Sequence, residues 1–210
     1  MVAIDHAIGV LGAAPNTVSE SPIVLTFDDG TADFAEVVLP ILVELQLQAT
    51  LYLSTARVDS QQPYPQSGQP ISWDGLRECV STGLVTIGSH THNHVLLDRC
   101  SPAEGADELS RCDERIEDEL SVRPRHFAYP KAVAPSAAVE PLIRRRYDSA
   151  AVAGTRPNLF GQTNPYRLNR SPVQNADGWE GFARKVAGGM AFEDNVRRTI
   201  NLIRYRGKTT

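Results

Sequence analysis

The sequence predicts an α/β fold: strand–helix units wound either as a barrel or as an open parallel sheet. Three observations predict it. Short runs of β-forming residues alternate with segments of helical periodicity. No repeat, low-complexity tract or linker divides the 210 residues, so they read as one domain, 1–210. The sharpest polar motifs fall directly after strands, where α/β proteins gather their chemistry.

In chain order, Ile23 to Phe27 is an apolar run of β-formers that ends at Asp28-Asp29-Gly30, a buried strand followed by a turn. A helix from Asp33 to Leu45 follows, with Val37, Leu42 and Leu45 among its apolar positions, and Ala49 to Leu53 is the second strand. Gln61 to Gln69, with Pro63, Pro65 and Gly68, is a loop, and Ser72 caps a short helix through Cys79. Val85 to Ile87 is the third strand and feeds Gly88-Ser89-His90. Ser101-Pro102-Ala103-Glu104 is a capping box with Pro at the first helical position. Behind it Leu109, Cys112, Ile116 and Leu120 form an apolar stripe, with the acidic residues as a solvated face. Arg125 to Tyr129 is a strand stopped by Pro130. Pro141 to Tyr147 is helical, Ser149 to Ala153 and Arg167 to Arg170 are strands, and Phe192 to Tyr205 is an amphipathic closing helix.

A hydrophobic content of 41% with 22% charged residues suits a sizeable core. The net charge of -4 leaves no basic field for nucleic acid. Cys79, Cys100 and Cys112 are too few for a disulfide framework. No apolar stretch is long enough to span a membrane. Ala7 to Ala14 has no basic residue before it, the first in the chain being Arg57, so no secretory signal is read and a cytoplasmic location is expected.

Two motifs carry chemistry. Asp28 and Asp29 adjoin at a strand end, where like charges repel, and a bound cation relieves that cost. One carboxylate then ligates while the other takes a proton from water. In His90-Thr91-His92-Asn93-His94, three of the chain's five histidines fall within five residues. A helical turn there puts His90 and His94 on one face and His92 on another, whereas an extended segment puts all three on one side. The turned form is expected because Gly88 and Ser89 break the strand. Asp29, His90 and His94 then form a two-histidine, one-carboxylate site for one divalent metal ion, zinc first, with cobalt, nickel or iron also compatible.

Thr26-Phe27-Asp28-Asp29-Gly30 followed by Gly88-Ser89-His90-Thr91-His92-Asn93-His94 resembles the first two motifs of carbohydrate esterase family 4, the NodB-type polysaccharide deacetylases. Phe127-Ala128-Tyr129-Pro130 resembles the third motif in the branch of the poly-N-acetylglucosamine deacetylases. The likeness covers about residues 23–173. It implies a distorted (β/α) barrel with fewer than eight complete units. It also implies a metal-dependent hydrolase that removes N-acetyl groups from N-acetylhexosamine-containing glycans, glycosides or activated sugars. Within it, Asp28 matches the catalytic base, and Asp29, His90 and His94 match the metal ligands. The Lys131 backbone N–H matches an oxyanion donor, and Tyr129 and Pro130 fall at substrate-binding positions. Ala128 stands where an arginine often orients the base, and Arg170, in Leu168-Asn169-Arg170, is the candidate substitute. A late Leu-x-His motif is absent, so His6, His92, His126 or a water are the candidate acids. The alternatives are a metal-dependent amidase for a small non-carbohydrate amide and a non-catalytic carbohydrate-binding domain. The expected partner is an N-acetylated sugar or glycan, and the sequence leaves the oligomeric state open.

Overall fold

The structure, a computed structural model, describes residues 1–14, 21–65 and 68–188. Helix α1 (Ile4–Leu11) precedes β1 (Leu25–Asp29); α2 (Leu39–Leu45), β2 (Ala49–Leu53), α3 (Thr55–Ser60) and α4 (Trp73–Ser81) follow. Then come β3 (Val85–Ser89), α5 (Pro102–Leu120), β4 (His126–Ala128), α6 (Glu140–Arg146), β5 (Ser149–Ala151) and α7 (Gly178–Val186). All five strands are parallel and lie in sequence order, β1-β2-β3-β4-β5. A doubly wound sheet reverses its order at a switch point, whereas a barrel winds one way. The five strands therefore make a curled half-barrel, a (β/α) barrel with fewer than eight units.

Strand parity sorts the core into two faces. Leu51, Leu53, Val85 and Ile87 point outward and pack with Leu42, Val58, Leu76, Cys112 and Ile116 from the helices. Phe127 and Ala150 continue this layer with Leu109, Ile143 and Tyr147. The concave face carries Tyr52 and Ala128, which are covered by Ile4 of α1 with Ile8 and Val24 alongside. Thus the N-terminal segment is a helix that plugs the barrel. Its Asp5 also meets His126, whose ring lies 3.2 Å from the carboxylate and 2.9 Å from Ser149 Oγ.

Local signals formed as their chemistry requires. Ser72 Oγ accepts from the Gly75 N–H at 3.1 Å, and the Ser101–Glu104 capping box closes both ways. The helix expected over Asp33 to Leu45 begins instead as a π-helical turn, Phe34–Val38, before becoming α2. Pro40 lacks an N–H and its ring crowds the Glu36 carbonyl, so the preceding turn widens. The strand expected over Arg167 to Arg170 is reduced to one parallel bridge, Ala151 to Leu168, after a 3₁₀ turn at Pro165–Arg167. From that bridge the chain reaches across the open side of the half-barrel toward β1. The expected helix Phe192 to Tyr205 lies outside the described residues. All three cysteines are free thiols. No helix among the described residues is long and apolar enough to cross a membrane.

One half-buried carboxyl, Asp113, stands out on α5. The Tyr147 hydroxyl lies 2.8 Å from Asp113 Oδ1 and 3.1 Å from Ser89 Oγ. Burial pushes the Asp113 carboxyl up to about 6, against the pull of Tyr147 and Ser89. The folded state therefore binds this proton more tightly than the unfolded chain. Its contribution to stability is full below pH ~4 and is lost as pH rises through about 6. Asp113→Asn keeps an acceptor for Tyr147 and removes that loss. The expected result in urea unfolding is a gain on the order of 2 kcal/mol at pH 7, shrinking toward zero at pH 4.

Candidate active site

The site is built where β1 and β3 end. Parity puts Asp28 on the concave face with Thr26, and the chain then turns through two left-handed residues, Asp29 (φ 73) and Gly30 (φ 88). Aspartate tolerates that region, whereas position 30 demands glycine, because a Cβ there would meet Leu53 Cδ2 at 2.8 Å. The Tyr64 hydroxyl donates to the Asp29 carbonyl at 2.8 Å, and the Ile71 N–H to the Gly30 carbonyl at 3.0 Å. Both bonds fix the turn.

On β3, Gly88 lets the chain pass under Tyr52, since a Cβ would meet Tyr52 Cδ1 at 2.5 Å. The five residues from His90 to His94 do not form the expected helical turn; Thr91 (φ 63) and His94 (φ 58) coil them irregularly. His90 and His94 still come together, with ring centroids 5.0 Å apart, while His92 turns away to Thr55 Oγ1 at 2.8 Å. Glu108 supports this loop. Its carboxylate accepts from the Asn93 N–H at 2.8 Å and from Asn93 Nδ2 at 2.6 Å. The solvated-face reading of the acidic residues on α5 fails at Glu108, which is buried. Its position four residues before Cys112 on the buried stripe is the signal that identifies it.

Asp29 Oδ1 lies 3.5 Å from His90 Nε2 and 3.3 Å from His94 Nε2, and it is buried without a hydrogen-bond partner. Ligands ~2.0–2.1 Å from one tetrahedral ion sit about 3.3 Å from each other, so these spacings suit a shared cation better than hydrogen bonds. His90 Nδ1–H donates to the Ala128 carbonyl at 2.6 Å, which leaves Nε2 unprotonated and ready to ligate. Burial, then the neighbouring His90, lowers His94 to about 4, so it is neutral at pH 7. The donor set fits one divalent metal ion.

Beside it, Arg170 Nη1 donates to Asp28 Oδ1 at 2.6 Å and Nη2 to Oδ2 at 2.9 Å, a two-pronged pair. Burial acts to raise the Asp28 carboxyl, but the charge and hydrogen bonds of Arg170, with the histidines when protonated, outweigh it and hold it below the ordinary value. The Asp28 side chain is 36% exposed and Arg170 18%, so the carboxylate faces the opening with the guanidinium behind it. After β4, a turn at Pro130–Ala132 places Lys131 at φ 53. The first N–H groups of such a turn have no partner inside it, which leaves that of Lys131 available.

Tyr129 lies elsewhere: its ring is buried and packs edge-on against Phe127 in the outer layer, not in the cleft. The cause is parity: Phe127 and Tyr129 share the helix-covered face and Ala128 takes the concave one. Pro130 is buried at the start of the turn that carries Lys131. Among the candidate acids, His92 and His126 are buried with partners of their own, and His6 is exposed on α1. Trp73 lies under Arg115 and donates to Asp59, on the outer surface.

Residues 15–145 match the polysaccharide deacetylase family. The chain belongs to that family. A curated relative, the uncharacterized protein YlxY of Bacillus subtilis (strain 168), is 29% identical over 98 residues, 47% of this chain. The match spans 27% of that relative's own length. Among solved structures, IcaB from Ammonifex degensii superposes with a TM-score of 0.73 at 20% identity, covering 90% of this chain and 81% of that one. The Streptococcus pyogenes deacetylase PplD in complex with acetate gives 0.72 at 19%, covering 88% and 78%. At these identities the superpositions establish the polysaccharide deacetylase fold.

Proposed function

We propose that this chain is a metal-dependent hydrolase that removes N-acetyl groups from N-acetylhexosamine-containing glycans, glycosides or activated sugars. The observation that carries the reading is the adjacency of three convergent ligand atoms, on Asp29, His90 and His94, to an exposed carboxylate, Asp28, held by Arg170. Family membership gives the substrate class.

Asp29, His90 and His94 would hold the cation, zinc first, with cobalt, nickel or iron also accepted by this donor set. When bound there it supplies Lewis-acid polarisation of the acetyl carbonyl and lowers the pKa of the attacking water. Asp28 takes the water's proton as the oxygen attacks the carbonyl carbon. Arg170 keeps the carboxylate ionised and aimed. The Lys131 N–H stabilises the oxyanion, a contribution typically worth ~10²–10³ in rate. Arg170 also makes protonated Asp28 a strong acid, and Asp28 passes the proton to the sugar nitrogen as the C–N bond breaks. Acetate and a free amine leave.

The test is acetate release from N-acetylglucosamine, its oligomers and a nucleotide-linked N-acetylhexosamine, beside small linear and cyclic amides. Release from at least one sugar, abolished by a chelator and restored by zinc or cobalt, is expected. Hydrolysis of the small amides alone would move the chain to the amidase reading.

A further inference from the structure

Resting on the reading of Asp28 as the base, the geometry points to Tyr52 as a positioning residue, a ring that fixes the Arg170 guanidinium and through it the Asp28 carboxylate. Tyr52 sits in the row that matters. The parallel register pairs it with Asp28 on one side and Gly88 on the other, so the three share one level of the concave face. Its ring is fully buried. Gly88 offers a flat bed to the ring edge, and Ile4 and Ala128 complete the enclosure. The ring cannot move without displacing the plug helix or β3.

Arg170 lies against this immobile surface, with its guanidinium carbon 5.3 Å from the ring centroid, within cation–π range. Arg170 comes from an extended segment after the last strand, held by backbone bonds from Leu168 to Ala150, from Val152 to Leu168 and from Gly154 to Arg170. The side chain needs its anchors at the tip. It has the two bonds to Asp28, a long contact of 3.3 Å from Nη1 to Thr26 Oγ1, and the ring; its Nε is buried without a partner. Bonds to Asp28 alone let the pair rock together. Among the described residues, the ring and Thr26 are the contacts beyond Asp28 that hold the guanidinium against the barrel.

The Tyr52 hydroxyl has no hydrogen-bond partner among the described residues, so the ring face, not the oxygen, does the positioning. This separates a positioning role from a hydroxyl acting in proton transfer, which Tyr52→Phe would abolish.

The experiment compares kcat, KM, bound metal and urea unfolding across a set of variants. Tyr52→Met stays apolar, fills most of the space and removes the ring; kcat is expected to fall about tenfold, with KM and metal content unchanged. Tyr52→Phe restores kcat to within about twofold. In an Arg170→Lys background, which has no planar fork to lie on the ring, Tyr52→Met is expected to cost less than about twofold. An equal loss in both backgrounds, or no loss in either, would overturn the assignment. If Tyr52→Met fails to fold, Tyr52→pentafluorophenylalanine keeps the shape and inverts the ring's charge distribution; a fall of about tenfold supports the assignment and an unchanged kcat overturns it. If the wild type releases no acetate from any sugar, the proposed function fails by itself. The positioning role is then decided by unfolding, where Tyr52→Met and Arg170→Lys are expected to couple by about tenfold in the folding equilibrium, and strict additivity overturns it.

Discussion

Replacing Asp28 with Asn is expected to lower acetate release by ~10²–10⁴-fold and to leave the metal bound. The two halves of this result follow from different parts of the site. Asp28 does not belong to the ligand set, whose three atoms come from Asp29, His90 and His94. An amide at position 28 keeps one oxygen to accept from Arg170 and occupies the same volume, so the fold and the cation site persist. The amide oxygen cannot take a proton from water at neutral pH, and with His92 and His126 buried against other partners no nearby imidazole replaces it. The measurement is kcat beside metal content on the same preparation. An Asp28→Asn protein that retains metal and more than about a tenth of the rate would remove Asp28 from its role.

The second large effect is on the cation itself. His94→Ala weakens metal binding by more than about 10²-fold, beyond the ~10–100-fold that loss of a supporting hydrogen bond costs, and acetate release falls with it. His94 is the cleanest ligand to remove. Its side chain is 25% exposed against 2% for His90, so truncating it leaves no sealed cavity, whereas His90 is also tied to the Ala128 carbonyl. Thermal unfolding supplies an independent readout. A ligand that binds only the folded state raises stability by ~4 kcal/mol at a thousandfold excess over Kd, and the His94→Ala protein is expected to lose most of that increment. The metal-free forms of the two proteins should melt close together.

Legibility from the sequence differed by the range of the interaction. Ala49–Leu53 was readable to the residue because it is a short buried run with Thr50 and Tyr52 as β-formers, and the two helix caps because a cap is a contact between neighbours in sequence. The carboxylate and histidine motifs were readable because their chemistry is compressed into a few positions. The Arg170–Asp28 pair spans 142 residues, and only the Leu-x-Arg likeness suggested it. Tyr64 holding the Asp29 carbonyl and Ile4 closing the barrel had no local pattern at all; each depends on where the fold carries a distant segment. The irregular path from His90 to His94 was misjudged for the same reason. Left-handed residues at 91 and 94 are sustained by bonds from Thr91, Glu108 and Ala56, not by the segment's own propensity.

The measurement that bears most directly on the account is anomalous diffraction from crystals of the zinc-loaded protein. The account predicts one ion per chain, ~2.0–2.2 Å from Asp29 Oδ1, His90 Nε2 and His94 Nε2, with the Asp28 carboxylate outside that shell and paired with Arg170. An ion bound elsewhere, or those three side chains splayed apart with none between them, would contradict it.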